Sequence, residues 1–257
     1  MDELRARYGD RRLPLWREAF AGVDWWELHF SAAYAGVGVH RGSGEPVVLV
    51  PGLMARDASM LELKCWLERM GYDSHHSEIG RIAGCPQALA EQLSFRVGEV
   101  FDRTRKPVTI IGHSLGGCLA RRVAMMHPEH VRHVITLGSP VQGASFQPAV
   151  LAMRETPRDC GDECYRHLQA PLPPGISETC IFTKTDGVVD WRTCTRAARS
   201  TNIEVRSTHV GLVWNGQVFG EIGRTLAALP ERQKKRAATP RPRITVSRQP
   251  TIAPLAA

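Results

Sequence analysis

Short apolar runs alternate with amphipathic segments along most of the chain. Residues 46–50, PVVLV, are mostly β-branched and stop at a Pro-Gly pair, which predicts a buried strand followed by a tight loop. Residues 59–71, SMLELKCWLERMG, carry apolar side chains near helical spacing and end on a glycine that suits a helix C-terminus. The segment YDSHHSEI is a weaker strand candidate, and residues 86–104 predict a long helix with proline at its start. This part of the chain therefore follows the pattern strand, helix, strand, helix.

The alternation continues toward the C-terminus. Residues 107–111, PVTII, predict another strand, Leu119 to His127 a helix, and VRHVITLGSP a further strand. The later segments TCIFTK, WRTCTRAAR, NIEVRS and GLVWNGQVFGEIGRTLAAL repeat strand and helix in turn. Strands that alternate with helices predict an α/β fold, in which a mostly parallel sheet carries helices on both faces. We expect residues 1–230 to form one domain, because this length lies within the range of a single α/β domain.

Residues 141–178 interrupt the alternation. The segment is rich in proline and is longer than the usual connection between elements, and such connections are functional or disordered more often than structural. It follows a strand, which places it over the carboxyl edge of the sheet, where open α/β folds bind ligands. We therefore expect a short lid-like insert at this edge.

The net charge of +7 is concentrated at the end of the chain. Residues 231–257 contain seven basic residues and one acidic residue, so they account for +6 and leave the body nearly neutral. A segment rich in Pro, Thr, Ser and Arg with few large apolar groups predicts a disordered basic tail, whose alternative role is a weak tether to an anionic or membrane surface. The body lacks a basic patch, so no nucleic-acid partner is expected.

The chain starts with a charged stretch, MDELRARYGDRRLPLWREAF, which lacks the apolar core and cleavage site of a signal peptide. No run approaches the roughly 18 apolar residues of a membrane span. We therefore expect a cytoplasmic protein without a membrane span. The pair Trp25-Trp26 is expected to form part of the core or to cover the pocket.

Seven cysteines are present, and three of them, Cys65, Cys85 and Cys118, are expected to be small buried thiols in core helices or at a helix entry. The segment CGDECYRH spaces Cys160, Cys164 and His167 like metal ligands but offers no fourth donor, so neither a metal nor a cofactor is expected. A disulfide within the set Cys160, Cys164, Cys180 and Cys194 is an alternative to free thiols.

The stretch IIGHSLGG places glycines two positions either side of Ser114, directly after an apolar strand. A sharp strand-to-helix turn forces such a serine toward positive φ, and only glycine leaves room for the neighbouring backbone at positions 112 and 116. The turn exposes the hydroxyl at the sheet edge, so Ser114 is a candidate nucleophile. Its alternative role is an ordinary helix N-cap.

A serine nucleophile needs a base, an orienting carboxylate and two oxyanion donors at the same edge. Asp186 follows the strand TCIFTK and precedes a turn glycine, and His209 follows the strand NIEVRS, in the order serine, acid, histidine. Asp190 is the alternative acid. The backbone N–H groups of Leu53, after the first strand, and of Leu115, after the serine, are the candidate oxyanion donors.

Together, the segments PGLM, GHSLGG, TLGSP, TDGVV and STHVGL resemble those of α/β-hydrolases of the bacterial esterase and lipase type, over about residues 46–228. The resemblance implies the α/β-hydrolase fold and cleavage of small-molecule or lipid-like carboxylic esters through an acyl-enzyme on Ser114, with Asp186 and His209 completing the triad. Many similar lipases have His-Gly in the oxyanion loop and a histidine after the proline of TLGSP, where this chain has Pro51-Gly52 and Val141. The alternatives are a thioesterase or acyltransferase with the same triad, or a non-catalytic binding protein on this scaffold.

Overall fold

A computed structural model describes residues 13–143, 171–196 and 200–230 of the chain. Within these residues a single sheet of six strands has the order β2-β1-β3-β4-β5-β6, and every neighbouring pair is parallel. The strands are β1 (Pro46–Val50), β2 (Asp73–His76), β3 (Val108–His113), β4 (Val131–Leu137), β5 (Ser177–Phe182) and β6 (Ser200–Glu204). The predicted parallel sheet is confirmed.

Five α-helices lie in the described residues: α1 (Ala21–His29), α2 (Leu61–Arg69), α3 (Pro86–Thr104), α4 (Leu115–Met126) and α5 (Gly216–Ala228). Short 3₁₀ helices are formed by Leu15–Phe20, Asp57–Met60, Trp191–Cys194 and Val210–Trp214. The predicted helices after β1, β2 and β3 are confirmed, and α4 begins directly after Ser114.

The core has two layers, one on each face of the sheet. Successive side chains of a strand point to opposite faces, so Val48 and Val50 of β1 pack into a cluster with α3 and α4. Val47 and Leu49 pack into a second cluster with α1, α2 and α5. All four side chains are fully buried, which contributes about 1.5–3 kcal/mol for each large apolar residue. The expected helices on both faces are therefore present.

The register of the sheet aligns the carboxyl ends of its central strands. Val50 of β1 lies opposite Gly112 of β3, and His113 of β3 lies opposite Leu137 of β4. The loops that follow these three strands consequently leave the sheet at the same edge. Residues after β5 and β6 leave it there as well, because all the strands run in the same direction.

Two predicted helices differ from the structure. The helix expected at residues 191–199 is only a 3₁₀ turn, Trp191–Cys194, and residues 197–199 lie outside the described part. The helix expected at residues 211–229 is broken at Asn215, whose backbone is extended (φ −99°, ψ 128°). Its side-chain oxygen accepts hydrogen bonds from the N–H groups of Gln217 and Val218, so Asn215 caps α5 and starts a new helix there.

The N-terminal segment of residues 15–30 was not predicted as helical. Its inner side is buried at Leu28 and Asp24, whereas its outer side exposes a stripe of large apolar side chains: Trp16, Phe20, Val23, Trp26 and Phe30. Trp25 and Trp26 are 42% and 62% exposed, so the expectation that this pair joins the core is wrong. Cys65 is also exposed rather than buried, because it lies on the outer face of α2.

Several sequence-based expectations fall outside the described residues. Positions 144–170, which hold most of the lid-like insert together with Cys160, Cys164 and His167, are among them, and so is the basic tail at 231–257. The described ends of the insert pack on the body: Val141 is fully buried and Leu172 contacts the core on the α3 and α4 side. None of the helices in the described ranges is both long and apolar enough to cross a membrane.

Candidate active site

Ser114 lies in a sharp turn between β3 and α4. Its backbone has φ 50° and ψ −122°, a conformation that costs a non-glycine residue about 1–3 kcal/mol. The turn is possible because its glycines lack a Cβ: one on Gly112 would collide with the backbone of Gly116 and Gly117, and one on Gly116 with the carbonyls of Val50 and Pro51. The strained turn expected around Ser114 is therefore present.

Asp186 and His209 are brought together by the loops that follow β5 and β6. The imidazole Nδ1 lies 2.6 Å from Asp186 Oδ2, and both side chains are buried. The other carboxylate oxygen of Asp186 accepts hydrogen bonds from the N–H groups of Val188 (2.8 Å) and Val189 (2.7 Å). These hydrogen bonds hold Oδ1 of Asp186, so that Oδ2 is directed at His209.

Asp190, the alternative acid, has other partners. Its Oδ1 accepts a hydrogen bond from the N–H of Arg192 and lies 3.2 Å from the guanidinium of the same residue. It is the N-cap of the 3₁₀ helix Trp191–Cys194, as its position before that segment suggests. Of the two candidate acids, Asp186 is the one that contacts His209.

Ser114 and His209 lie against the same end of β4. The N–H of Ser114 donates to the carbonyl of Leu137 (2.8 Å), and a Cβ on the next residue, Gly138, would lie 3.1 Å from Nδ1 of His209. His113, next to Ser114, hydrogen-bonds through Nε2 to the carbonyl of His209 (2.9 Å). No hydrogen bond joins the Ser114 hydroxyl to the imidazole within the described residues. In hydrolases this bond often tightens only when substrate is in place.

The pKa values of the two histidines beside Ser114 are shifted in opposite directions. Burial by itself lowers the pKa of His209, but the charge and hydrogen bond of Asp186 and the charge of Glu18 outweigh it and raise the pKa above the ordinary 6.5. Burial is the main cause that lowers the pKa of His113 to about 3. The charge of the neighbouring His209 also lowers it, whereas the hydrogen bond from His113 to the carbonyl of His209 raises it. His113 is therefore neutral at physiological pH, and His209 is the ring that can accept a proton.

The candidate oxyanion donors flank the serine. A Cβ on Gly52, next to Leu53, would lie 3.2 Å from Cβ of Ser114, so the loop after β1 passes directly beside the turn. Leu115 follows the serine as the first residue of α4, where N–H groups have no partner inside the helix. Among the described residues, neither the N–H of Leu53 nor that of Leu115 donates to a protein acceptor. Both are therefore available to an oxygen atom near Ser114.

Two carboxylates that were not predicted from the sequence contact this site. Glu18 accepts hydrogen bonds from the N–H groups of Gly187 and His209, and Asp24 accepts one from the N–H of Thr208. Both belong to the N-terminal segment, and Glu18 precedes His209 by 191 positions. No local motif surrounds either residue, so their roles are visible only in the folded chain.

The buried cysteines do not compete with Ser114 as nucleophiles. Cys180 and Cys194 are free thiols, so a disulfide between these two is not formed. Burial is the main cause that raises the pKa of Cys118 and of Cys180 to about 12 and that of Cys194 well above its usual range. These thiols stay protonated, and a protonated thiol is a weak nucleophile.

One cluster of side chains with potential metal-ligand atoms lies elsewhere in the described part of the chain. The donor atoms of His127, Glu129 and His130 are within 4.8 Å of one another. This group precedes β4, whereas Ser114 follows β3, so it lies at the opposite edge of the parallel sheet. It takes no part in the candidate active site.

Comparisons with known proteins show similarity to lipases. A family model for the alpha/beta hydrolase fold matches residues 104–159, which include Ser114. Over 145 residues the chain is 29% identical to a triacylglycerol lipase of Burkholderia plantarii, covering 53% of this chain and 40% of the lipase. Over 120 residues it is 32% identical to a triacylglycerol lipase of Pseudarthrobacter phenanthrenivorans, covering 43% of this chain and 38% of the lipase. The matches thus span about two-fifths of the length of these curated relatives.

Solved structures show the same architecture at low sequence identity. The mature form of the Bacillus licheniformis lipase BlEst2 superposes with a TM-score of 0.56 at 16% identity, over 74% of this chain and 94% of that one. Aspergillus fumigatus lipase B superposes with a TM-score of 0.54 at 13% identity, over 79% of this chain and 59% of that one. The chain has the α/β-hydrolase fold, and within that fold it resembles bacterial lipases and esterases.

Proposed function

We propose that the protein is a serine hydrolase that cleaves carboxylic esters through an acyl-enzyme on Ser114. The observation that carries the proposal is the buried Asp186–His209 pair at the sheet edge where the strained turn presents Ser114. The triacylglycerol lipases that match the chain support the same reaction class.

The first half of the reaction transfers the acyl group to the serine. Because the Nδ1–H of His209 donates a hydrogen bond to Asp186, Nε2 carries the lone pair and serves as the base. The hydroxyl oxygen of Ser114 attacks the ester carbonyl carbon while its proton moves to Nε2, and the carbonyl oxygen becomes an oxyanion that accepts hydrogen bonds from the N–H groups of Leu53 and Leu115. Collapse of this intermediate breaks the bond to the alcohol oxygen, which takes the proton from Nε2 and leaves.

The second half returns the enzyme to its starting state. Water gives one proton to Nε2 and attacks the acyl carbon, the same two N–H groups stabilise the oxyanion, and the carboxylic acid leaves as Ser114 regains its proton. Asp186 stabilises the imidazolium in both halves and stays ionised. Its buried hydrogen bonds to Val188 and Val189 hold it in that role.

Replacement of the nucleophile tests the mechanism. Ser114→Ala should remove labelling by a fluorophosphonate probe and lower turnover of chromogenic esters by several powers of ten, because the bond-forming atom is lost. The fold should persist, since the hydroxyl makes no hydrogen bond among the described residues. Ser94→Ala, a buried serine of α3 whose hydroxyl bonds only to its own helix, is the matched control and should keep both activities. Retention of more than about a tenth of the activity in Ser114→Ala would exclude the mechanism.

The acceptor and the acyl chain are determined with a substrate panel. Esters of short to long acyl chains, the corresponding thioesters, and mixtures with added alcohol separate hydrolysis of esters from the alternatives that share an acyl-enzyme. An ester hydrolase has a higher kcat/KM for esters than for the corresponding thioesters and passes the acyl group mainly to water even when alcohol is added. Predominant transfer to the added alcohol would assign an acyltransferase instead.

A further inference from the structure

We infer that Glu18 is a positioning residue of this site, which holds the turn of the catalytic acid and the loop of the catalytic histidine in a fixed relation. The acid turn is defined as residues 185–189 and the histidine loop as residues 207–211. The inference rests on the proposed function for its effect on catalysis. Its structural basis is a set of contacts that the proposed mechanism does not use.

One carboxylate joins both loops through their backbones. Oε1 of Glu18 accepts hydrogen bonds from the N–H groups of Gly187 (2.9 Å) and His209 (3.1 Å), and Oε2 accepts one from the N–H of Val210 (2.9 Å). Gly187 directly follows Asp186. The carboxylate of Glu18 therefore binds the backbone both next to the catalytic acid and at the catalytic histidine itself. Three N–H donors on one carboxylate form charge-assisted hydrogen bonds, which are stronger than neutral ones.

Gly187 leaves room for the carboxylate of Glu18 beside the acid turn. A Cβ on Gly187 would lie 2.9 Å from Oε1 of Glu18 and 2.8 Å from the carbonyl of Pro14, so a larger residue there would push the N-terminal segment away. The glycine predicted as a turn residue therefore also makes room for the carboxylate. Hydroxyls add another link between the loops, because Thr183 and Thr185 both donate to the carbonyl of Ser207.

Asp24 anchors the same segment on the far side of the histidine loop. Its Oδ2 accepts a hydrogen bond from the N–H of Thr208 (3.2 Å), and Oδ1 accepts one from the side-chain amide of Asn215 (2.8 Å). The N-terminal segment thus bonds to Thr208, His209 and Val210 in succession. Of Glu18 and Asp24, only Glu18 also reaches the acid turn.

Glu18 also acts on the charge of His209. Among the residues that the structure describes, the charged or titratable groups that face the imidazole are Asp186, Glu18 and His113. His113 is neutral at physiological pH because burial lowers its pKa to about 3. The negative charge of Glu18 favours the imidazolium. Its removal therefore lowers the pKa of His209 and makes the neutral, basic form available at lower pH.

The substitution Glu18→Gln tests the inference. Glutamine keeps the size of the side chain but carries no charge and turns an N–H donor toward one of the three N–H groups. We expect kcat to fall roughly ten- to a hundredfold with little change in KM, because small displacements of catalytic groups cost this much. The acid limb of the kcat/KM profile should move to lower pH. Glu27→Gln, on the exposed side of α1, is the matched control and should leave both quantities unchanged.

A titration without substrate separates this inference from the proposed function. In protein labelled at its histidines, NMR signals assigned with a His209→Gln variant should report a lower pKa for His209 in Glu18→Gln than in Glu27→Gln. If the wild-type protein hydrolyses no ester, the proposed function fails, while the titration still tests the contact between Glu18 and the histidine loop. An unshifted His209 in Glu18→Gln overturns the inference, and so does a loss of thermal stability and kcat without movement of the acid limb.

A charge-preserving variant covers the case in which Glu18→Gln does not fold. Glu18→Asp keeps the carboxylate but is too short to span the three N–H groups. Its kcat should fall while its acid limb stays near the wild-type position. Wild-type kcat in Glu18→Asp would overturn the inference, because the span across both loops would then be dispensable.

Discussion

At the scale of single residues, Asp186 and Asp190 make different contacts although both are buried. Asp186 bonds to His209, and Asp190 caps a 3₁₀ helix. Asp186→Asn should lower ester turnover by several powers of ten, because the imidazole loses its countercharge and its correct tautomer. Asp190→Ala should leave turnover within a few-fold and lower the free energy of unfolding by about 0.5–2 kcal/mol, the usual cost of a lost N-cap. Initial rates and urea unfolding of both variants measure these effects.

The two variants serve as controls for each other, since the side chains are equally buried and come from one loop. A loss of turnover in Asp190→Ala with normal turnover in Asp186→Asn would assign the acid role to Asp190. Loss of turnover in both would point to the conformation of the loop rather than to one carboxylate.

At the scale of elements, a buried ion pair joins α4 to β5. The guanidinium of Arg121 is fully buried and bonds to the carboxylate of Glu178, which is 4% exposed. Arg121→Met should lower the free energy of unfolding by about 3–5 kcal/mol, because it leaves a buried carboxylate without its main partner. The double variant Arg121→Met/Glu178→Met should be more stable than this single variant, since no buried charge is left. Urea unfolding of the set measures the coupling between the two side chains.

Arg122→Met is the matched control for this pair. Arg122 is the next residue of α4 and is only partly buried, with a hydrogen bond to Gln87 on α3. Arg122→Met should lower the free energy of unfolding by much less than Arg121→Met. If the double variant were as unstable as Arg121→Met, the cost would come from the lost packing of the arginine and not from the unpaired charge.

At the scale of the whole molecule, buried histidines make the stability depend on pH. His133 lies between β4 and β5 with its ring bonded to the hydroxyls of Ser177 and Thr179, and burial, helped by Arg132, lowers its pKa from 6.5 to about 4. Between these two pH values the unfolded chain binds a proton that the folded protein does not. The stability that His133 contributes is therefore present above pH 6.5 and is lost as the pH falls toward 4.

The variant His133→Gln tests this dependence. Its unfolding free energy should fall less steeply than that of the wild type as the pH drops, by up to about 1.4 kcal/mol per pH unit. Urea unfolding at several pH values across the window gives the slopes. His40→Gln, in an exposed loop, should keep the wild-type slope. Equal slopes for wild type and His133→Gln would show that other groups govern acid unfolding.

The elements that the sequence predicted well are those whose apolar pattern is local. β1 and β3 are buried along their whole length, so both are rich in apolar β-branched residues, and the helix after β2 begins at a proline. The break at Asn215 was missed although an Asn-Gly pair marks it, because the apolar spacing continues across the pair. The helix expected at residues 191–199 was predicted too long, because the structure has only the short 3₁₀ helix Trp191–Cys194 after its cap, Asp190.

The residues of the candidate site also differ in whether the sequence could predict them. The turn at Ser114 needs glycines at fixed neighbouring positions, and Asp186 and His209 each follow a strand, so all three could be named from short segments. Their neighbours Glu18 and Asp24 could not, since a carboxylate in a charged N-terminal stretch is typical of a solvent-exposed residue. Likewise, the exposure of Trp25 and Trp26 follows from which face of α1 packs on the 3₁₀ helix Val210–Trp214 and on α5.

The sequence by itself therefore determined the strands, the helices after β1, β2 and β3, the strained turn, the candidate nucleophile and base, and two candidate acids, because each depends on the spacing of a few adjacent residues. Only the tertiary structure decided which aspartate contacts His209, that the N–H groups of Leu53 and Leu115 have no protein acceptor among the described residues, and that Glu18 joins the acid turn to the histidine loop. These relations connect residues up to about 190 positions apart, and they arise because parallel strands bring the loops after their carboxyl ends to one edge.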